Sequence, residues 1–409
     1  MNALVRWSSG IAIGCKETRV LLDPIASDAT IPELFITHAH YDHSKGFQFP
    51  TQKKYSTKET KEIYEADTGN KVGNWEQIRL GRRVKLGNVE VEAHDAGHVL
   101  GSVQYEILIP EGSIVYASHI NFTDTLLSRA AEVAPCETLV IEATFPTRSP
   151  TLAPRESVIA EIVKWALECV KERRIPAFVT DHIGNAQELN RIFNTWTELP
   201  VIVHPRIARV NQVYEKNGVN LRYVDAGREE AQSVIGDAKC VVIIPKRFDA
   251  TRYGDFRIAH VSGWPSPLDM SEGKVFTLSD QADLNQLLEF VAEARPKTVL
   301  TFRGGARFLA EILSKRLGVV ARELATEIPS TRHVQPLLDE ERVGRCEDFL
   351  LQVVQVRDYT YEKMVLVDLG LKQGFKAQEV EEALLRLTNK GVLEYSTVTD
   401  GYSLSKAPR

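Results

Sequence analysis

The stretch Thr37-His38-Ala39-His40-Tyr41-Asp42-His43 decides how this chain is read. It follows directly on Glu33-Leu34-Phe35-Ile36, a short apolar run of buried-strand type. A lone histidine is usually structural. Three histidines and an aspartate packed this closely are not. The imidazoles would repel one another when protonated and waste polarity when buried, unless a cation collects their lone pairs. Residues two apart on an extended segment point the same way. His38 and His40 can therefore face one metal position, while Asp42 and His43, past the turn, can face a second beside it. Two ions about 3.5–4 Å apart suit phosphoester hydrolysis, one activating water and both clamping phosphate oxygens.

Around this segment, residues 1–150 read as short strands broken by turns. Val89-Glu90-Val91-Glu92-Ala93-His94 alternates strictly, as a half-buried strand should. Two runs flanking Pro110-Glu111-Gly112 read as a hairpin. The texture then changes. Val158, Ile159, Ile162, Val163, Ala166 and Val170 recur at helical spacing, and buried strand runs alternate with helices up to residue 262. Such alternation implies parallel pairing and an inserted α/β domain over 151–262. Residues 263–340 repeat strand–helix–strand–helix and read as a return segment completing the first domain. Residues 341–409 read as helices followed by a hairpin with a turn at Asp400-Gly401, a winged-helix-like module. Glu379, Glu381 and Glu382 make its candidate recognition helix acidic, which argues against a DNA-reading role.

Composition sets outer limits. The 409 residues exceed one ordinary core, and 43% apolar with 26% charged residues fits a globular protein. A net charge of −5 excludes a uniformly basic coat but leaves room for a local basic channel. The five cysteines are scattered and odd in number, which speaks against a disulfide framework or zinc finger and for a reducing cytoplasm. The N-terminus lacks a signal-peptide layout, and no apolar run of about 18 residues is present, so no membrane association is expected.

On its motifs, the chain resembles the β-CASP nucleases of the metallo-β-lactamase fold. His38-Ala39-His40-Tyr41-Asp42-His43 resembles the HxHxDH signature. Asp23 is similar to the aspartate that buttresses a ligand histidine, and His98, in Gly97-His98-Val99, to a later ligand. Glu142 resembles the acidic residue that opens the β-CASP region, and Gly184-Asn185-Ala186-Gln187-Glu188 the glycine-led helix start within it. Gly184 and Asn185 there offer a seat for a phosphate, and equally an ordinary helix cap. The resemblance covers roughly residues 1–330. It implies an α/β, four-layered αββα sandwich with the β-CASP domain inserted as a cap. It further implies cleavage of RNA or DNA phosphodiesters, usually with zinc, in the exonuclease-like, DNA-repair and mRNA 3′-end-processing branch.

Three positions depart from the family pattern. His119 stands where a metal-bridging aspartate belongs, Gln281 replaces a histidine in Ser279-Asp280-Gln281-Ala282-Asp283, and Arg303 replaces a metal-ligating histidine. Imidazole does not bridge two cations, and Arg303 carries a fixed charge and cannot ligate. These changes argue for one zinc ion. Four imidazoles, His38, His40, His98 and His119, would close its shell and make it structural. Three plus water would make a hydrolytic site, with Asp42 orienting the water and Arg303 holding the substrate phosphate. The readings are thus a one-ion nuclease, a catalytically silent nucleic-acid-binding or scaffold relative, or a small-molecule hydrolase. The last module is expected to serve for dimerisation or a protein partner. His94, His182, His204, His260, His333 and Trp264 take no role.

Overall fold

A computed structural model describes residues 4–15, 18–143, 152–246, 256–263, 273–324, 340–355, 361–375, 377–390, 392–396 and 401–404. His333, Trp264 and Asp400 lie outside them. The chain forms two compact units, Met1–Glu327 and Ile328–Arg409.

In the first unit, β1 (Leu4–Trp7), β2 (Ile11–Cys15), β3 (Thr18–Leu22), β4 (Glu33–Phe35), β5 (Lys53–Ser56) and β6 (Trp75–Gln77) form one sheet in that order. Helix α1 (Tyr41–Ser44) follows β4, and α2 (Lys58–Thr68) joins β5 to β6. Thr57 caps α2 by accepting from Thr60 N, and Gly69, in the left-handed region, ends it. A second sheet starts with antiparallel β7 (Arg83–Leu86), β8 (Val89–Asp95), β9 (Val103–Ile109) and β10 (Gly112–Ala117), followed by parallel β11 (Thr138–Glu142). Side chains of β8 largely alternate between core and half-exposed positions, as the sequence alternation predicted.

The chain then leaves this sheet. It runs through α3 (Arg155–Lys171), β12 (Ile175–Thr180), α4 (Asn185–Trp196), β13 (Val201–Val203), α5 (Pro205–Lys216), β14 (Val224–Asp225), α6 (Glu230–Gly236), β15 (Val241–Pro245), β16 (Phe256–Val261) and β17 (Lys274–Phe276). Their six strands pair in parallel, in the order β14-β13-β15-β12-β16-β17. Strand β17 falls in the stretch that the sequence reading assigned to the return segment. Its bonds to β16 extend the inserted sheet past residue 262, to Phe276. Helix α7 (Leu284–Ala294) follows, begun by a reciprocal cap between Asp283 and Gln286. Then come β18 (Thr298–Phe302), α8 (Ala306–Leu317) and β19 (Val320–Glu323). Strands β18 and β19 return to the second sheet beside β11, so its order is β19-β18-β11-β10-β9-β8-β7.

The two large sheets face one another across a shared core. Ile11, Val20, Leu22, Phe35 and Tyr55 from one sheet meet Val91, Tyr105, Ile107, Tyr116, Val140 and Phe302 from the other. Helices α7 and α8 cover the outer face of the second sheet through Leu287, Phe290, Leu309 and Leu313. Helices α2 and α5 cover the outer face of the first through Ile63, Tyr64, Val210 and Tyr214. The layering is helix, sheet, sheet, helix, with the inserted α/β sheet carrying its own cores.

The second unit holds α9 (Glu340–Gln355), β20 (Tyr361–Glu362), α10 (Lys363–Lys372), α11 (Ala377–Asn389), β21 (Leu393–Ser396) and β22 (Gly401–Leu404). Its strands form an antiparallel sheet in the order β20-β22-β21. Glu379, read from sequence as surface acidity, is buried and paired with Arg342 at 2.8 Å.

Phe35 is fully buried between the sheets, stacked on Tyr55 at 4.7 Å and edge-on to Tyr105 at 5.3 Å. Phe35→Ala is expected to lower unfolding free energy by about 3–5 kcal/mol in urea titrations.

Candidate metal centre

The centre is organised from Asp23, at the end of β3. Asp23 is 2% exposed and adopts the left-handed region at φ 42°. Its Oδ1 accepts from Thr37 N at 2.8 Å. Its Oδ2 accepts from Thr37 Oγ1 at 2.6 Å, from Tyr116 OH at 3.1 Å, and lies 2.9 Å from His43 Nδ1. One carboxylate thus fixes both ends of the histidine-rich turn. Thr37 Oγ1, having given its proton to Asp23, accepts from His38 Nδ1 at 2.9 Å. That leaves His38 Nε2 carrying the lone pair, and this buried atom has no hydrogen-bond partner.

Two further imidazoles are set in the same way by backbone carbonyls. His40 Nε2 lies 3.3 Å from the carbonyl of Ile183, and His98 Nδ1 lies 2.7 Å from that of Asp280. A carbonyl only accepts, so each of these nitrogens carries the hydrogen. His40 Nδ1 and His98 Nε2 then face each other at 3.1 Å, lone pair against lone pair. Candidate ligand atoms of His38, His40, His98 and His119 all lie within 4.8 Å of one another. An orphaned buried Nε2 and two opposed lone pairs are the donor set a borderline-soft ion such as zinc takes. The imidazoles are also held neutral. Burial, together with His43, His98, His119 and His40, keeps His38 well below the ordinary imidazole value. Burial and His119 bring His40 down to about 4, and burial with His40 and His119 lowers His98.

The neighbouring position is built differently from the sequence expectation. His43 was expected to ligate a metal, and it belongs to two further groups of converging donors, Asp23 with His38 and Asp42 with His119, while both of its nitrogens also meet side chains. Nδ1 meets Asp23, and Nε2 lies 2.9 Å from Asp42 Oδ2 and 3.0 Å from Arg303 NH1. Burial would lower His43, but Asp42, Glu142 and Asp23 raise it to about 10. Arg303 was expected to hold a substrate phosphate. Its NH1 instead lies 3.1 Å from Asp42 Oδ2 and 3.1 Å from Glu142 Oε1. Against the upward push of burial, Arg303, His119 and His43 hold Glu142 well below the carboxylate range. The guanidinium therefore stands where Asp42, His43 and Glu142 converge, as an internal cation already committed to two carboxylates. Asp42 keeps a part-exposed side chain, with Oδ2 tied into this ion-pair network.

His119 sits between the two positions. Its Nδ1 lies 3.3 Å from Gln281 Nε2 and its Nε2 lies 3.5 Å from Glu142 Oε1. Gly184 does not offer its N–H to a phosphate. That group donates to Gln187 Oε1 at 2.8 Å, and a side chain at Gly184 would collide with Asp280 Oδ2. Asn185 beside it is buried. Sequence reasoning passed over the carbonyls of Ile183 and Asp280, since a backbone acceptor carries no residue-type signal. His94 stands apart, bonded to Glu132 and Glu106 at 3.1 Å each.

No family model matches the chain. It is 27% identical over 318 residues to a probable DNA ligase of Opitutus terrae, covering 71% of this chain and 28% of that protein. An RNase J-like protein of Methanocaldococcus jannaschii is 23% identical over 244 residues, covering 50% of this chain and 57% of that protein. Cleavage and polyadenylation specificity factor subunit 3 of Dictyostelium discoideum is 26% identical over 240 residues, covering 50% and 30%. The chain is similar in sequence to proteins of the metallo-β-lactamase β-CASP nuclease family. Its matches span less than two thirds of the length of each of these relatives. The crystal structure of a protein of unknown function from Enterococcus faecalis V583 shares the fold, with TM-score 0.55 and 16% identity, covering 74% of this chain and 94% of that one.

Set on the β-CASP pattern, the three departures form one connected patch. Gln281 meets His119, His119 approaches Glu142, and Glu142 pairs with Arg303. No helix among the described residues is long and apolar enough to cross a membrane.

The lowered imidazoles set a pH dependence. In the metal-free chain, the unfolded state protonates His40 below about 6.5 and the folded state only below about 4. The folded state binds fewer protons across that window, so stability falls as pH drops through it. His43 acts oppositely, its contribution being complete below about 6.5 and lost as pH rises through about 10. Urea unfolding of metal-free protein is expected to show lower stability at about pH 5 than at about pH 7.5, and His40→Gln to narrow the difference.

Proposed function

We propose that the chain hydrolyses nucleic-acid phosphodiesters at a centre holding one zinc ion on His38, His40 and His98. The observation that carries this reading is the gathering of three neutral imidazole lone pairs, those of His38 and His98 buried, within 4.8 Å of one another, with His38 Nε2 lacking any other partner. A bound ion there would polarise a phosphoryl oxygen and lower the pKa of a water. The chain's own residues do the rest. Asp42 Oδ2 is held by His43 and Arg303, which leaves its second oxygen to take a proton from the attacking water. Arg303 supplies the positive charge of the second position through Asp42 and Glu142, and its place there supports a count of one ion. Relatives named as RNase J-like and as an endoribonuclease support nucleic acid as the substrate class. In this reading the protein works in the cytoplasm, and the three helices and small sheet of the second unit act as a winged-helix-like module for a protein partner or dimer.

A second reading has a specific observation behind it. The fourth imidazole, His119, lies within ligand range of the other three, and a closed shell of four would leave no position for water. The chain would then bind nucleic acid as a silent scaffold.

Zinc content by plasma emission is expected to be one ion per chain. Labelled single-stranded and duplex RNA and DNA should be cleaved, and His38→Ala should reduce the rate at least about a thousandfold. Binding without cleavage, whichever divalent ion is supplied, would favour the scaffold reading.

A further inference from the structure

The inserted unit does more than cover the metal centre. The carbonyl that fixes the ring of His40 belongs to Ile183, in the turn between β12 and α4. The preceding residue, His182, places Nε2 3.1 Å from Oδ1 of Asp67, in the last turn of α2, an ion-pair contact in which the ring N–H is not aligned for a hydrogen bond. Asp67 in turn receives a two-pronged contact from Arg206 in α5, Nε to Oδ1 at 2.6 Å and NH2 to Oδ2 at 2.9 Å. Paired, planar contacts of this kind are the geometrically most exacting ion pairs. A second link runs to the other ligand loop, where Leu100 N, two residues after His98, donates to the buried Tyr214 OH of α5 at 3.3 Å.

We infer that Asp67 is a positioning residue for the metal centre, gripping His182 so that the Ile183 carbonyl holds the His40 Nε2–H and leaves Nδ1 to face the ion. This rests on the reading of His38, His40 and His98 as ligands. The physical basis is that partners of a ligating imidazole's second nitrogen fix its tautomer and ring orientation, and their loss weakens metal binding. Here the partner is a carbonyl, located by side chains that hold its turn, among them His182 against Asp67 and Gln187, whose Nε2 donates to the His182 carbonyl at 3.1 Å. Helices α2 and α5 also share a second ion pair, Lys216 Nζ to Glu62 Oε1 at 2.6 Å. It joins the same two helices without touching His182, and so separates positioning of the turn from docking of the helices.

The test is zinc affinity of the full chain, measured by competition with a chromophoric chelator, together with the visible spectrum of the cobalt-substituted protein. Asp67→Ala and His182→Ala are each expected to weaken zinc about tenfold and to alter the cobalt bands. The double variant should be no weaker than either single one. His182→Gln, which keeps a donor for Asp67, should stay close to the unaltered protein, as should Glu62→Gln. Equal losses from Asp67→Ala and Glu62→Gln would overturn the inference, because helix docking alone would then explain them. Unchanged affinity in both Asp67→Ala and His182→Ala would overturn it as well. A chain that takes up no zinc or cobalt at all would overturn the ligand reading, and this inference with it.

Discussion

The buried carboxylate of Asp23 is the constraint on which the centre depends. It accepts from a backbone N–H, a threonine hydroxyl and a tyrosine hydroxyl, and it meets an imidazole. An ionised group this deep is tolerable only when its lone pairs are filled. Filling them has geometric consequences. Thr37 must give its proton to Asp23, so it can only accept from His38, and His38 must then present Nε2. Tyr116 reaches across from the second sheet, so the same carboxylate also ties the two halves of the sandwich at the point where the histidine turn begins.

Charge balance explains the other half of the centre. Asp23 and Glu142, both buried, and the part-exposed Asp42 bring three carboxylates close together, two of them on the side of Arg303. Without a cation that arrangement would be strongly unfavourable. In a two-ion centre a metal would supply the charge. The guanidinium of Arg303 also supplies positive charge there, and it cannot leave with a chelator. The substitutions at His119, Gln281 and Arg303 are therefore best understood together. The imidazole of His119 shares this neighbourhood with the fixed cation of Arg303, and the amide of Gln281 hydrogen-bonds that imidazole.

Much of this was legible in the sequence. The alternation in β8 and the hairpin at Pro110-Glu111-Gly112 came through because side-chain periodicity reports directly on the faces of a sheet. The density of histidines around His40 pointed, for the same local reason, to the place where candidate donor atoms gather. Other features were not local. Lys274-Val275-Phe276 reads as a strand in any sheet, and its partner, β16, could not be inferred from its own residues. Arg303 read as a substrate-binding cation because a fixed charge does not announce its counter-ions, and Asp42 and Glu142 lie far from it in sequence. Residue type and spacing offered His43 as a ligand but said nothing about the carboxylates that its ring nitrogens meet.

The central claim is that His38, His40 and His98 share one cation while Arg303 holds the adjoining position. Anomalous diffraction at the zinc edge from crystals of the zinc-loaded chain tests it most directly. The expected map has a single peak within bonding distance of His38 Nε2, His40 Nδ1 and His98 Nε2, with the guanidinium still on Asp42 and Glu142. Rings turned apart with no common peak, or a second peak with Arg303 displaced, would contradict it.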